Sequence, residues 1–155
     1  MEIIAIITTK NRTELFARAL QSVLSQTRRA DEIIVVTDST NDNKAIEKRL
    51  IENSGVTILD DKNAHNYAGS LNTAIHYILQ KNLFLQKDYK NTYVAFLDDD
   101  DIWLNTYLEK GEKSIQEKDF LVSGLIYRNE DGAKQLSIPQ ILTVDSFLKG
   151  NPHIQ

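Results

Sequence analysis

Residues 93–101 read YVAFLDDDD, which joins an apolar run to four consecutive acidic residues. The apolar part has the length and composition of a strand buried on both faces, and Asp98 ends it. Four adjacent carboxylates repel one another, so they cost stability after a buried strand unless a cation or hydrogen-bond donors compensate. Their oxygens suit hard cations such as Mg²⁺ or Mn²⁺. The stretch therefore favours a metal site over the alternative, a solvated acidic turn that caps the next helix.

The chain before this stretch alternates between strand and helix patterns. Short β-branched runs at residues 3–8, 33–36 and 56–59 predict buried strands. Apolar residues at helical spacing predict helices at residues 15–24, 46–51 and 71–79. Asn11, with Glu14 three residues later, predicts the cap of the first helix. These alternations predict an α/β fold, a parallel sheet with helices on both faces.

The pattern changes after Trp103. We expect a helix over residues 104–117, a strand over residues 120–127, and a turn at residues 129–132 that leads into a short strand. A last short helix is expected over residues 143–150. Antiparallel strands added to the parallel ones predict a mostly parallel mixed sheet, within one domain of residues 1–155.

Composition limits the classes of partner and compartment. The 155 residues carry a formal net charge of -4, which argues against a nucleic-acid partner. The absence of cysteine excludes disulfides and thiolate metal sites and fits a reducing compartment. The first residues lack the basic flank and cleavage site typical of a signal peptide, and no apolar run approaches the ~20 residues of a membrane span. We expect a soluble, cytoplasmic protein, for which peripheral contact with the inner face of the membrane stays open.

Polar residues follow the predicted strands where ligands of parallel sheets bind, beyond the carboxyl ends. Residues 8–12, 37–42 and 98–101 should therefore converge at one edge. Residues 8–12 contain no glycine and are not a phosphate-binding glycine loop; alone, they read as a capped turn. Asp38 is open between a helix cap and an acceptor for a base N–H or a ribose hydroxyl.

Residues 63–72 supply polar donors before the third predicted helix, where anions are favoured. His65 lies in this segment, but a single loop histidine is more often a surface residue than a ligand. Trp103 is expected to pack at the edge of the core behind the acidic run.

Four segments together resemble the inverting glycosyltransferases of family 2, which have the GT-A fold. They are IITTKNR at residues 6–12, LQSVLSQT at residues 20–27, DEIIVVTDSTND at residues 31–42, and FLDDDDIW at residues 96–103. Each is weak alone, but they come in the order and at the separations of the family. The resemblance implies a Rossmann-like GT-A three-layer sandwich.

The resemblance also implies a reaction and its ligands. A sugar would pass from a nucleotide-diphosphate sugar, expected to be a UDP-sugar, to an acceptor hydroxyl with inversion. The acceptor would be a saccharide or lipid-linked saccharide, as in polysaccharide biosynthesis. The DXD-type metal ligands would be Asp98 and Asp100, holding Mn²⁺ or Mg²⁺. The nucleotide-binding residues would be Thr8, Thr9, Asn11, Arg12, Asp38, Asn72, Asp98 and Asp99.

Three positions depart from the family pattern. Lys10 stands where an aromatic residue often packs on the base, and Thr37 replaces the first of two usual aspartates. Leu71 occupies a position where an arginine commonly meets the diphosphate; Lys62 or Arg12 is the candidate substitute. These changes bear on the identity of the donor nucleotide.

Family members normally continue well past this length with an acceptor-binding half that carries an acidic general base. We therefore expect this chain to be the donor-binding portion, truncated before that half, with the base beyond Gln155. Two other functions stay open: a nucleotide-binding module without catalysis, and a sugar nucleotidyltransferase, which would usually show a glycine-rich basic loop after the first strand. The sequence does not specify an oligomeric state.

Overall fold

The structure is a computed structural model that describes residues 1–61, 65–85, 89–116, 119–129 and 132–136. Its residues fall into two compact units, Met1–Lys113 and Ser114–Gln155. A single domain over residues 1–155 stays a prediction. The predicted last helix, residues 143–150, lies outside the described residues. No helix among the described residues is long and apolar enough to cross a membrane.

Strands and helices alternate along the first unit, as predicted. They are β1 (Glu2–Thr9), α1 (Thr13–Leu24), β2 (Glu32–Thr37), α2 (Asn41–Leu50), β3 (Thr57–Asp60), α3 (Tyr67–Leu85), β4 (Thr92–Asp98) and α4 (Tyr107–Ser114). A short 3-10 turn, Tyr89–Asn91, precedes β4. Helix α4 begins three residues later than predicted, because the Tyr107 N–H closes a turn on the Leu104 carbonyl instead of continuing a helix.

The four strands form a parallel sheet in the order β3-β2-β1-β4. Thr8 of β1 lies opposite Asp98 of β4, and Thr9 lies opposite Thr37 of β2. Thr37 in turn lies opposite Asp60 of β3. The carboxyl ends of all four strands therefore meet at one edge, which is the edge where parallel sheets bind ligands.

The second unit contains an antiparallel pair, β5 (Leu125–Asn129) and β6 (Gly132–Leu136). The sequence predicted that strands from this region would join the main sheet and make it mixed. Among the described strands, this pair is a separate two-stranded sheet instead. A short connection makes each strand the nearest partner of the other, which favours local pairing.

Strand β1 is the centre of the core because both of its faces are covered. Ile3, Ala5 and Ile7 are buried in one cluster with residues of α1, and Ile4 and Ile6 in another with residues of α3. Successive side chains of a strand point to opposite faces, so a strand between two helix layers must be apolar throughout. The predicted three-layer α/β arrangement is confirmed.

Polar side chains at the end of α1 hold the segment that follows the acidic run. The buried Gln26 amide donates to the carbonyls of Ser22 and Leu104, both at 2.9 Å, and accepts the Leu108 N–H at 3.0 Å. The Ser22 hydroxyl accepts the Trp103 backbone N–H at 3.1 Å. Trp103 is buried behind the run, as predicted. The segment LQSVLSQT thus fixes where the chain goes after Asp101.

Gln26→Ala should lower the free energy of unfolding, because it leaves the buried Leu108 N–H without its acceptor and removes the bond to the partly buried Leu104 carbonyl. A buried group that loses its partner costs about 1–3 kcal/mol. Urea denaturation measures the change. Gln21→Ala, the same substitution at an exposed position of α1, is the matched control and should stay within about 0.5 kcal/mol of wild type. Equal effects of the two substitutions would show that Gln26 does not hold this segment.

Candidate functional site

The loop after β1 contacts both neighbouring strand ends, as the sequence predicted. The Asn11 N–H donates to the Ser39 hydroxyl at 2.7 Å, after β2. Arg12 Nη1 donates to Asp100 Oδ2 at 2.8 Å, after β4. Residues 8–12, 37–42 and 98–101 therefore share one edge of the sheet, although 88 positions separate Arg12 from Asp100.

Asn11 does not cap α1, which corrects the prediction. Arg12 occupies the cap position of α1 without a side-chain cap bond, and the Asn11 amide oxygen turns to α2. There it accepts the backbone N–H of Thr40 at 2.7 Å and the side chain of Asn43 at 3.0 Å. Asn11 has φ 56, the left-handed conformation that asparagine tolerates better than most residues. This backbone conformation directs the amide across to the next loop.

A buried carboxyl group in α2 fixes the loop that carries Asp38. Glu47 is 0% exposed and accepts hydrogen bonds from the Thr37 and Ser39 hydroxyls, both at 2.6 Å. The Thr37 hydroxyl also accepts the Ser39 N–H at 3.1 Å. An aspartate at position 37, in addition to Asp38, would place a like charge against Glu47, which accounts for the threonine there.

Glu47 was not among the residues selected from the sequence. The signal was present: Glu47 lies four positions before the buried Ile51 and so shares its helix face. An acidic residue on a core-facing stripe requires donors, and Thr37 and Ser39 provide them.

Glu47→Gln should lower the free energy of unfolding by about 1–3 kcal/mol, because a carboxamide cannot accept from both hydroxyls and one buried donor loses its acceptor. Thermal or urea denaturation measures the loss. Glu52→Gln, an exposed position just after α2, is the matched control and should change little. An unchanged stability for Glu47→Gln would contradict the role assigned to this group.

Asp38 is held by two basic groups and is only 13% exposed at its side chain. Lys10 Nζ lies 2.6 Å from Oδ2, and His65 Nδ1 lies 2.7 Å from Oδ1. Lys10 and then His65 hold the pKa of Asp38 below its ordinary value, against a smaller opposing effect of burial. Lys10 also donates to the His65 carbonyl at 3.3 Å. His65, which the sequence did not select, is therefore a neighbour of the predicted nucleotide ligand.

The ion pairs of Asp38 should make part of the stability pH-dependent. Because the pKa of folded Asp38 lies below 3.8, its contribution is present above that value and lost as the pH falls through the lower, folded pKa. The stability difference between wild type and Asp38→Asn should be largest near neutral pH and shrink below about pH 4. Urea denaturation across this range measures it. Asp42→Asn removes an exposed carboxylate from the first turn of α2 and reports the effect of net charge. If its stability changes with pH as that of Asp38→Asn does, the assignment is contradicted.

The side chains of the acidic run point in two different directions. A backbone bond from the Asp101 N–H to the Asp98 carbonyl, 3.2 Å, closes a turn. Asp98, Asp100 and Asp101 each offer one carboxylate oxygen, all within 4.8 Å of one another. Burial, and then the charges of Asp100 and Asp98, raise the pKa of Asp101. Three oxygens around one point suit a hard cation, whose octahedral shell is about 4 Å across, so these residues fit Mg²⁺ or Mn²⁺.

Asp99 points the other way, which corrects its predicted contact with the nucleotide. Its side chain is 1% exposed and lies against Arg12, with Nη2 2.9 Å from Oδ1. Neither carboxylate oxygen has a well-aligned donor among the described residues. Burial raises the pKa of Asp99, opposed by the Thr9 hydroxyl, the Arg12 charge and the Lys10 N–H. A ligand at the surface cannot reach this carboxylate in the observed conformation.

The remaining predicted residues lie at different depths. The side chains of Thr8 and Thr9 are buried, so their hydroxyls are withdrawn from the surface of this edge. Asn72 is exposed in α3, about one and a half turns from its start. Tyr67, in the first turn of α3, was not selected, yet its hydroxyl donates to Asp98. Burial, and then the Asp98 charge, raise the pKa of Tyr67 to about 12.

A three-layer α/β fold with acidic residues at the strand ends defines the class of nucleotide-binding proteins to which the GT-A glycosyltransferases belong. Residues 4–151 match the family described as Glycosyl transferase family 2. The chain therefore belongs to glycosyltransferase family 2.

Two relatives from Escherichia coli are named as UDP-Glc:alpha-D-GlcNAc-diphosphoundecaprenol beta-1,3-glucosyltransferases. WfgD is 30% identical over 99 residues, which cover 64% of this chain and 35% of WfgD. WfaP is 27% identical over 139 residues, which cover 81% of this chain and 51% of WfaP. The chain thus spans about a third to a half of the length of these relatives.

Solved glycosyltransferase structures share the fold. One is the mannosyltransferase PcManGT from Pyrobaculum calidifontis, in complex with GDP-Man and Mn²⁺, with a TM-score of 0.59 and 21% sequence identity. The alignment covers 75% of this chain and 32% of the PcManGT chain. Another is S. aureus TarS 1-349 in complex with UDP-GlcNAc, with a TM-score of 0.58 and 22% sequence identity. The alignment covers 76% of this chain and 32% of the TarS chain. The predicted GT-A fold is thereby confirmed.

Proposed function

We propose that this chain is the donor-binding portion of a metal-dependent glycosyltransferase that uses a nucleotide-diphosphate sugar and transfers the sugar with inversion. One observation carries the proposal: the oxygens of Asp98, Asp100 and Asp101 lie within 4.8 Å of one another at the ligand-binding edge of the sheet. Three carboxylates this close repel one another, and a bound cation would relieve that repulsion. A divalent ion there would neutralise charge on the departing nucleoside diphosphate.

Metal ligation is assigned to Asp98 and Asp100, with Asp101 added on the strength of its position. Asp98 and Asp100 were selected because alternate residues of a turning segment share a side, and the three oxygens lie close together. Tyr67 donates to Asp98 and would orient its carboxylate while leaving the second oxygen to the ion. Mn²⁺ and Mg²⁺ both accept such oxygen ligands together with substrate phosphates.

Asp38 is assigned to the nucleoside. Its lowered pKa keeps it ionised at neutral pH, so that it can only accept, from a base N–H or a ribose hydroxyl. Lys10 and His65 hold it in place, and the Glu47 network fixes its loop. Asn11 and Arg12 line the same edge, while Thr8 and Thr9 would act through their backbone because their side chains are buried. Asn72 is assigned to the donor as a surface residue of α3.

The donor is proposed to be a UDP-sugar and the acceptor a lipid-linked saccharide. The named E. coli relatives use UDP-Glc and a diphosphoundecaprenol acceptor, and TarS was solved with UDP-GlcNAc. Such an acceptor would place the protein at the cytoplasmic face of the membrane, by peripheral contact. Inversion needs a general base to take the acceptor proton, and we propose that it lies beyond Gln155.

A nucleotide-binding module without catalysis is the second candidate. Contacts to a donor and a metal are assigned among the described residues without a general base, which favours it. A sugar nucleotidyltransferase is less favoured, since the loop between β1 and α1 contains no glycine. Incubation of the complete gene product with a UDP-sugar and a lipid-linked acceptor separates the two leading candidates: transfer identifies the enzyme, and donor binding without transfer identifies the module.

Calorimetric titration with UDP, GDP and ADP, with and without Mn²⁺, tests the donor site. We expect Mn²⁺-dependent binding of UDP, weakened about tenfold or more by Asp100→Ala, which corresponds to about 1.4 kcal/mol. Asp119→Ala, at an exposed position of the second unit, is the control and should bind as wild type does. If no diphosphate binds, or if binding ignores both the metal and the Asp100 substitution, the proposal fails. Tighter binding of GDP would change the donor and leave the metal site intact.

A further inference from the structure

Arg12 joins two carboxylates that have very different surroundings. Nη2 lies 2.9 Å from Oδ1 of Asp99, whose side chain is 1% exposed. Nη1 lies 2.8 Å from Oδ2 of Asp100, whose side chain is 50% exposed. We call this pair of contacts the Arg12 bridge. The guanidinium group itself is on a half-exposed side chain, so one of its nitrogens is in contact with the interior and the other with the surface.

The two halves of the Arg12 bridge differ in strength. A buried carboxylate without a countercharge is unfavourable, and neither Asp99 oxygen has a well-aligned donor among the described residues, so the Nη2 contact is costly to give up. An exposed ion pair contributes little, so the Nη1 contact with Asp100 can be given up at small cost. The bridge is therefore firm at Asp99 and replaceable at Asp100.

Asp100 is also a residue that the proposed metal needs. Arg12 on Oδ2 and a divalent cation on the same carboxylate would be two positive charges beside one negative charge, so they repel each other and compete for Asp100. We propose that Arg12 occupies Asp100 while the cation is absent, releases it when a divalent cation binds, and then presents Nη1 to the donor diphosphate while Nη2 stays on Asp99. This inference rests on the proposed function.

The chemistry of arginine suits this exchange. The guanidinium group is a planar fork with separate donors, so one nitrogen can remain on a carboxylate while the other changes partner. It binds phosphate oxygens as readily as carboxylates. Leu71, at the position where an arginine often meets the diphosphate, cannot make that contact. Arg12 would supply the missing cation from the loop after β1.

A purely structural Arg12 bridge predicts a different pattern of binding. If Arg12 only ordered the acidic run, its loss would weaken the binding of both the metal and the diphosphate. If Arg12 competes with the metal and then binds the donor, its loss would tighten metal binding and weaken diphosphate binding. The opposite signs of these two effects distinguish the inference from simple support of the fold.

Electron paramagnetic resonance of free Mn²⁺ measures the first effect, with wild type, Arg12→Gln and Lys10→Gln. Lys10→Gln removes the same charge from the same loop but from a residue that contacts Asp38, so it reports the general effect of charge. Without nucleotide, we expect Arg12→Gln to bind Mn²⁺ about two- to fivefold more tightly than Lys10→Gln, the fold-change of one exposed ion pair. At saturating Mn²⁺, calorimetry should show UDP bound about tenfold more weakly by Arg12→Gln than by wild type.

Arg12→Gln/Asp99→Asn is measured in parallel, because it removes the buried charge together with its partner and keeps the fold testable. The same pair of opposite effects is expected. Mn²⁺ affinity that is unchanged, lowered, or raised only as much as by Lys10→Gln overturns the inference. In that case, Mn²⁺-dependent UDP binding by wild type would leave the proposed function standing. If no variant binds Mn²⁺, the Arg12 exchange and the metal site both fail.

Discussion

The parallel register of β1 with both of its neighbours is the constraint on which the site depends. Pairing of Thr8 with Asp98, and of Thr9 with Thr37, brings the ends of three strands to one edge. The loops that follow these strands are therefore adjacent, and they carry the polar residues. A slip of one residue in β1 would turn its buried side chains to the opposite faces and separate the loops. The apolar core and the polar edge are thus consequences of the same strand pairing.

Convergence of acidic residues creates an electrostatic problem that the fold solves locally. Asp99 is met by Arg12, Asp38 by Lys10 and His65, and Asp98 by the Tyr67 hydroxyl. These partners come from the loop after β1 and from the segment that begins α3. Each partner lowers the cost of holding a carboxylate at the edge of the sheet. The carboxylates differ in how deeply they are buried. The buried carboxylates of this edge therefore have basic or hydroxyl partners, and the exposed Asp100 shares Arg12 with the buried Asp99.

The sequence predicted the fold well because the deciding signals are local. The buried run at residues 3–8 and the acidic run after β4 each show their role within a few residues, and parallel topology then requires the strand ends to converge. Side-chain direction was less predictable, since it depends on tertiary neighbours. Asn11 had the local pattern of a helix cap, but the Thr40 N–H is its partner. The surroundings of the Asp99 and His65 side chains likewise depend on residues distant in sequence, which the local pattern does not show.

The Asn11 contacts bear on the thermodynamics of ligand binding at this edge. The amide and the backbone N–H of Asn11 connect the loop after β1 to the start of α2, with two hydrogen bonds of 2.7 Å to Ser39 and Thr40. The backbone of both loops is thus ordered by the protein itself. Fixing a residue costs about 1–2 kcal/mol of conformational entropy, and here that cost falls on folding rather than on binding. A ligand that binds between these loops meets a preorganised surface and loses little affinity to the ordering of the chain.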